Sequence, residues 1–230
     1  MSRTYVTLAL TLLAACGNSG PDPLHDYSKC GGPTTIAIAN ADVVDGDGIA
    51  LPKGVEVDLV IEAKDAEGDY CDPTDLELSL DDPDQIEIVS AGEATVLKAR
   101  YDAIDRGAEP TTVLHASLGG VEASWPVASV VALGGTWSVT ITEYTRYPDG
   151  YEFGEVVFTQ RGRRMVWEDC TISVVCSRDA AIRGAAFTAE APEYGLMISA
   201  PIDPDRNRFA GPWSAKDGDY QGDFVAVRVD

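Results

Sequence analysis

Short runs in which apolar and polar residues alternate, separated by Gly, Pro and Asp, fill the chain from Lys29 onward. Alternation with period two places every second side chain on one face of a strand, and no stretch carries the longer period of an amphipathic helix. The clearest run of the first half is Val55-Glu56-Val57-Asp58-Leu59-Val60-Ile61-Glu62, with Val55, Val57, Leu59 and Ile61 on one face. Further strands are predicted at Thr35–Ala39, Leu76–Leu80, Ile86–Val89, Thr95–Ala99, Thr112–Leu118 and Val121–Val127. Short strands at this spacing predict a β-sandwich over residues 29–132.

Gly134-Gly135 then breaks the chain, and alternation restarts at Thr136-Trp137-Ser138-Val139-Thr140-Ile141-Thr142. Strands are predicted at Glu155–Gln160, Arg164–Trp167, Thr171–Val175, Ala181–Ala189, Gly195–Ala200, Asn207–Trp213 and Gly222–Val229. Short turns leave no room for crossovers, so residues 133–230 are expected to form an up-and-down β-barrel. The fold class is all-β. An inward set of Trp137, Val139, Ile141, Phe158, Trp167, Phe224 and Ala226 is bulky for one small barrel, which predicts a filled interior. Val225, Val227 and Val229 share the opposite face and ask for a cover, with the first domain as the candidate.

The N-terminus reads as an address. Arg3 precedes an apolar run from Tyr5 to Ala15 that suits a signal-peptide core and is too short to span a bilayer. The run ends in Leu13-Ala14-Ala15-Cys16, which resembles the lipobox of bacterial lipoproteins. The resemblance implies that residues 1–15 are removed and that Cys16 carries the lipid. Asn18, where an inner-membrane lipoprotein usually has Asp, implies the outer membrane of a bacterial cell envelope. Residues 16–28 are rich in Gly, Pro, Asn, Ser and Asp and read as a flexible tether.

Two further resemblances follow from the strand runs. Leu51-Pro52-Lys53-Gly54 leads into the Val55 strand, which ends at Asp65-Ala66-Glu67-Gly68, and Leu78-Ser79-Leu80-Asp81-Asp82-Pro83 precedes Ile86. This order resembles bacterial Ig-like domains, with Leu78 or Leu80 where those domains usually carry Trp, and it implies a spacer or adhesion module. In the second half, Gly135-Thr136-Trp137, the hairpin at Gln160-Arg161-Gly162 and the closing Gly222-Asp223-Phe224-Val225-Ala226-Val227-Arg228 resemble calycin barrels, the lipocalin and avidin relatives. That resemblance implies packing of Trp137 against Arg228 at one barrel end.

Setting Cys16 aside leaves Cys30, Cys71, Cys170 and Cys176, an even number in an oxidising compartment. No Cys-x-x-Cys is present and neither histidine lies near a cysteine cluster, so disulfides are expected in place of zinc. Of the three possible connectivities, pairing within domains joins Cys30 to Cys71 and Cys170 to Cys176. The second bridge requires the segment between its cysteines to turn, because an extended strand of that length holds its ends about 20 Å apart.

Charge narrows the partners. The chain has 38 acidic and 17 basic side chains, a net charge of −21, which argues against nucleic acid and against docking on anionic lipid. Residues 26–132 hold 22 acidic and six basic side chains, and residues 133–230 hold 15 and ten.

Catalytic motifs are missing. The sequence has no Gly-x-Ser-x-Gly and no His-Glu-x-x-His; His25 falls in the tether and His115 on a solvated strand face. Aspartates at Asp45–Asp47, Asp65–Asp75 and Asp81–Asp84 could converge on calcium, yet turn chemistry accounts for Asp-Gly and Asp-Pro pairs without an ion. Asp203-Pro204-Asp205-Arg206-Asn207 begins like an EF-hand loop and fails at Arg208 and Ser214. Arg161, Arg163 and Arg164 crowd a hairpin tip that reads as a solvated turn. The reading is a non-enzymatic, lipid-anchored surface module with no cofactor, an unidentified protein partner, and a small apolar ligand in the barrel as the alternative.

Overall fold

The computed structural model describes residues 25–40, 43–46, 48–91, 95–144, 146–167, 180–192 and 195–229. Within them the chain is all-β apart from short helical turns. The first unit contains β1 (Thr35–Ile38), β2 (Val44–Asp45), β3 (Gly48–Pro52), β4 (Glu56–Leu59), β5 (Ile61–Lys64) and β6 (Tyr70–Cys71). It continues through β7 (Glu77–Leu80), β8 (Ile86–Ser90), β9 (Thr95–Ala99), β10 (Thr111–Leu118) and β11 (Val121–Val130).

One layer carries β1 against β5 and β4 against β9 and β8, and the other runs β2-β3-β11-β10-β7. β3 lies parallel to β11; the other pairs are antiparallel. β1 lies in one layer and β2 and β3 in the other, so the chain crosses between the two sheets of a β-sandwich before its third strand. β4 and β5 are two stretches of one strand, broken at Val60. There Asn40 supplies the missing pairing, its Nδ2 donating to Asp58 O at 2.7 Å and its Oδ1 accepting from Val60 N at 2.9 Å.

Alternation places Leu59, Ile61, Ile86, Leu97, Leu114 and Val127 in one buried cluster between the layers. Val55 is exposed instead, because its N–H closes a turn onto Pro52 O and the strand starts one residue later. Leu78 and Leu80 are half-buried and pack on the same cluster.

The expected Cys30–Cys71 disulfide forms, with Cα atoms 5.2 Å apart, and ties the incoming chain to β6. Beside it the buried Asp65 carboxylate accepts N–H bonds from Gly31, Glu67 and Asp69 at 2.9–3.0 Å. The Gly31 N–H foremost, with those of the β5–β6 turn, holds this carboxyl below its ordinary range against the opposing effect of burial. The last tether residues are docked as well, since His25 stacks on Tyr70 with ring centroids 3.9 Å apart.

The second unit is a closed barrel of β12 (Gly135–Glu143), β13 (Tyr147–Arg161), β14 (Arg164–Trp167), β15 (Ala180–Arg183), β16 (Ala186–Ala191), β17 (Leu196–Pro201), β18 (Arg208–Ala215) and β19 (Tyr220–Arg228). Each strand pairs with the next, and β19 returns to β12 with Trp137 opposite Arg228. The strand predicted at Thr171–Val175 falls outside the described residues, as do Cys170 and Cys176. β14 pairs directly with β15, and the run Ala181–Ala189, read above as one strand, folds at Gly184 into the β15–β16 hairpin.

Aromatic rings fill the barrel. Phe209 stands at the centre, 4.9 Å from Trp137, 4.9 Å from Phe187, 5.8 Å from Phe224 and 6.2 Å from Phe158. These five side chains are buried with Val139, Ile182, Ile198, Ala200 and Ala226. Trp167 is half-buried and meets Phe158 edge-on at 5.3 Å. The interior is apolar, while the wall mixes polar side chains with exposed Val157, Val166 and Met197. The outer stripe of β19 has no cover among the described residues, where Val227 and Val229 remain exposed.

Close packing at Phe209 predicts that Phe209→Ala costs about 3–5 kcal/mol in a urea titration, because four rings lose their common contact. Cys71→Ser should lower sandwich stability by about 2–4 kcal/mol in the same assay. A loss under about 1 kcal/mol in either case would show that the site is not tightly built.

Candidate functional site

A dense polar construction joins the two units. Four linker residues, Val131 to Gly134, separate β11 from β12, and each of their carbonyls is bonded by a barrel side chain. Gln160 Nε2 donates to Val131 O at 2.9 Å, and Trp137 Nε1 donates to Leu133 O at 2.9 Å. Arg228 reaches Gly134 O at 3.2 Å and Ala132 O at 3.5 Å. Gln160 Oε1 in turn accepts the N–H groups of Leu133 and Gly134 at 2.7 and 3.2 Å. The Arg228 guanidinium lies 4.6 Å from the Trp137 ring centre, so one stacked pair both ends the barrel and holds the linker. Val131 and Leu133 are themselves buried in the barrel cluster.

A second set of contacts comes from the short helix α1 (Ala103–Arg106), which follows β9. Asp102 caps it, accepting the N–H groups of Ile104 and Asp105, while Asp105 returns a bond to the Asp102 N–H, a reciprocal capping box. The Asp102 side chain is fully buried, and a buried carboxylate needs a cation. Arg206, in the β17–β18 turn, supplies it with Nε and Nη2 bonds to the two Asp102 oxygens, both 2.8 Å, and adds 2.7 Å to Asp105. Arg206 adopts this reach in the left-handed region at φ 60°, a conformation that costs a non-glycine residue about 1–2 kcal/mol. Lys53 completes the cluster 2.6 Å from Asp105.

Burial pushes the Asp105 carboxyl up, but Lys53, the Asp102 N–H and Arg206 together outweigh it and hold the group at about 2. Bonding to Asp102 raises the Arg206 pKa further above its ordinary value. The β13–β14 hairpin makes a third contact. Gly162, at φ 58°, lies against Ala50, where an added Cβ would stand 3.3 Å from the Ala50 oxygen. Arg163 next to it forms a two-pronged ion pair with Glu109. The tip read from sequence as a solvated turn is thus a docking element for the sandwich.

The remaining sequence candidates lie apart from this junction. Cys16 falls outside the described residues. His115 is 3.0 Å from Asp81 on the outer face of β7, β10 and β11, beside an open depression of about 870 Å³. Ser79 and Ser124 are its cross-strand neighbours, so the residue types of a hydrolytic triad meet there. β10 is paired on both sides over this stretch, which engages its N–H groups in the ladder. The aspartate loops are engaged in turns: Asp72 caps Thr74, Asp82 caps Asp84, and Asp65 is saturated as described. Among the described residues no three His, Cys, Asp or Glu side chains gather as metal ligands.

A second groove, of about 440 Å³, crosses the barrel wall where β17 and β18 pair over only two residues. Met197 stands 62% exposed at its rim and Tyr144 53% exposed. Trp213 lines its floor over Gly222, where any Cβ would meet Thr142 O at 1.7 Å, and its Nε1 donates to that same oxygen at 2.8 Å. The Tyr144 hydroxyl donates to Asp223 at 3.1 Å, which raises its pKa.

Phe187, Phe209, Gln160, Arg163 and Arg206 were not singled out by sequence for these roles. The Asp102–Asp105 capping signature was available as a local signal; the partner across the junction was not. No family model matches the chain, and no curated protein sequence matches it. Two solved structures are similar to it in part. Domains 5–6 of the S-layer protein SbsC share 10% identity, with 84% of this chain and 85% of that one covered and a TM-score of 0.31. Domains 4–9 of the surface layer protein SbsC share 11%, with 86% and 27% covered and a TM-score of 0.33. Likeness at this level carries no functional assignment.

The junction generates a test with its own control. Arg206→Ala leaves Asp102 without its cation, so stability at neutral pH should fall by about 3–5 kcal/mol or the barrel should undock. Arg208→Ala, whose pair with Asp203 is exposed at 3.7 Å, should cost under about 1 kcal/mol. Asp105 is depressed in the fold, so its contribution is complete above pH of about 4 and lost as pH falls toward 2. Equal losses for both arginine variants, or docking indifferent to that acid range, would contradict the account.

Proposed function

We propose that the chain is an exported, lipid-anchored surface protein of a bacterial envelope that works as a non-enzymatic interaction module. The Ig-like sandwich acts as a spacer, and the barrel is presented at its far end. One observation carries this reading: the barrel interior is occupied by Trp137, Phe158, Phe187, Phe209 and Phe224 in mutual contact, so its working surface is its outside. The captured linker supports it, because a spacer transmits position only if its load cannot swing freely.

The address rests on Leu13-Ala14-Ala15-Cys16, and Asn18 favours the outer membrane. Among the described residues no helix is long and apolar enough to cross a bilayer. The alternative, an apolar ligand within the barrel, would require the five rings to move apart, and filling by each large side chain favours the closed state by about 1.5–3 kcal/mol.

Cys16→Ser should release the protein from membranes or stall its processing, and the wild-type mature N-terminus should be a lipidated cysteine. Native mass spectrometry of protein from its own host should give the lipidated chain with no bound apolar molecule. Membrane fractionation unchanged by Cys16→Ser would sink the anchor; a co-purifying apolar ligand would replace the module reading with the carrier one.

A further inference from the structure

The geometry points to the groove on the barrel wall as a binding site for a neutral saccharide. It deepens the surface-module reading by naming the chemistry of a partner.

The groove has a volume of about 440 Å³, within the range of small-molecule sites, and combines rings with a few polar groups. Its two aromatic side chains are held from behind. The Trp213 N–H is engaged by Thr142 O and the Tyr144 hydroxyl by Asp223, so neither polar tip is offered to a ligand. Tyr144 presents its exposed ring at the rim, and Trp213 lines the floor while packing against the barrel core. The C–H face of a pyranose packs on such a ring without calling on its N–H or O–H.

A proline-rich peptide fits less well, because its recognition couples aromatic grooves to side-chain donors that orient the peptide carbonyls. Here the two donors carried by the rings, the Trp213 N–H and the Tyr144 O–H, are already engaged.

Around the rings stand groups suited to hydroxyls. The side chains of Ser199, Ser214 and Gln221 have no hydrogen-bond partner among the described residues. A hydroxyl both donates and accepts, as does each of these three, so one sugar hydroxyl can pair with any of them in either sense. Ser214 lies opposite Gln221 across β18 and β19, and Met197 lies opposite Ser214 across the seam, so Met197, Ser214 and Gln221 form one row, with Ser199 two residues beyond Met197 on the same face of β17.

Charge selects among saccharides. Glu190 and Asp223 flank the row, and the chain carries −21 overall, so an anionic glycan is repelled where a neutral one is not.

The test uses the full chain in a detergent without sugar headgroups. Titration calorimetry and saturation-transfer NMR are run with cellotriose, maltotriose, the trimer of N-acetylglucosamine, trigalacturonic acid and octaproline. At least one neutral trimer should bind saturably with a dissociation constant below about 1 mM, and the anionic trimer should bind at least about tenfold more weakly. Tyr144→Ala and Gln221→Ala, both at exposed positions, should each weaken the neutral trimer by about tenfold or more, while Ser124→Ala on the sandwich leaves it unchanged. Amide spectra report that each variant stays folded.

Three results would overturn the proposal. They are no saturable binding by any neutral trimer, binding that neither groove variant moves, or binding of octaproline in place of the sugars. Each is read on purified protein and is separate from the outcome of the anchoring test.

Discussion

Everything beyond the two separate cores depends on the capture of four linker carbonyls and one buried carboxylate. Val131, Ala132, Leu133 and Gly134 leave the last sandwich strand with no ladder to join, and Gln160, Arg228 and Trp137 bond all four of their oxygens. Asp102 presents the same problem in charged form, a fully buried side chain on the sandwich whose cation comes from the barrel. Polar groups removed from water must be paired, so each unit completes the other's hydrogen bonding at the contact. Arg206 holds a left-handed backbone conformation to do so, a local cost that the surrounding bonds offset.

That junction and the filled barrel bear on function together. A barrel whose centre is Phe209 presses its chemistry outward, onto the wall and the end loops. A junction without a free hinge fixes which part of that wall faces away from the sandwich. The charge division fits the same picture, since the sandwich half carries 22 acidic against six basic side chains and the barrel half 15 against ten. Charges of one sign keep the sandwich solvated, while the barrel keeps the more balanced surface on which a partner could settle.

Much of this was legible from alternation alone. Period two located most of the longer strands, because a half-buried strand must sort its side chains by face, while the short β2, β3 and β6 carried too little alternation to be read. The pairing of Cys30 with Cys71 followed from compartment and domain limits. The Ala181–Ala189 run was misread because Gly184 interrupts an alternation that continues on both sides of the turn. Val55 and the Val227–Val229 stripe were misread for a different reason: alternation says which residues share a face, not whether that face is covered.

The junction was illegible because its partners are far apart in the chain. Arg206 bonds a carboxylate 104 residues away, and Arg163 one that is 54 away. Nothing local to Pro204-Asp205-Arg206-Asn207 distinguishes a clamp from an aborted calcium loop. Likewise Phe187 and Phe209 are ordinary strand residues until closure of the barrel brings them against Trp137 and Phe224.

The central claim is that sandwich and barrel move as one body. Backbone ¹⁵N relaxation of the intact chain tests it most directly, with rotational correlation times fitted separately to residues 35–130 and 135–228. One shared correlation time and one diffusion tensor are predicted. Two different times, with the barrel tumbling faster than a molecule of the full mass, would contradict the account.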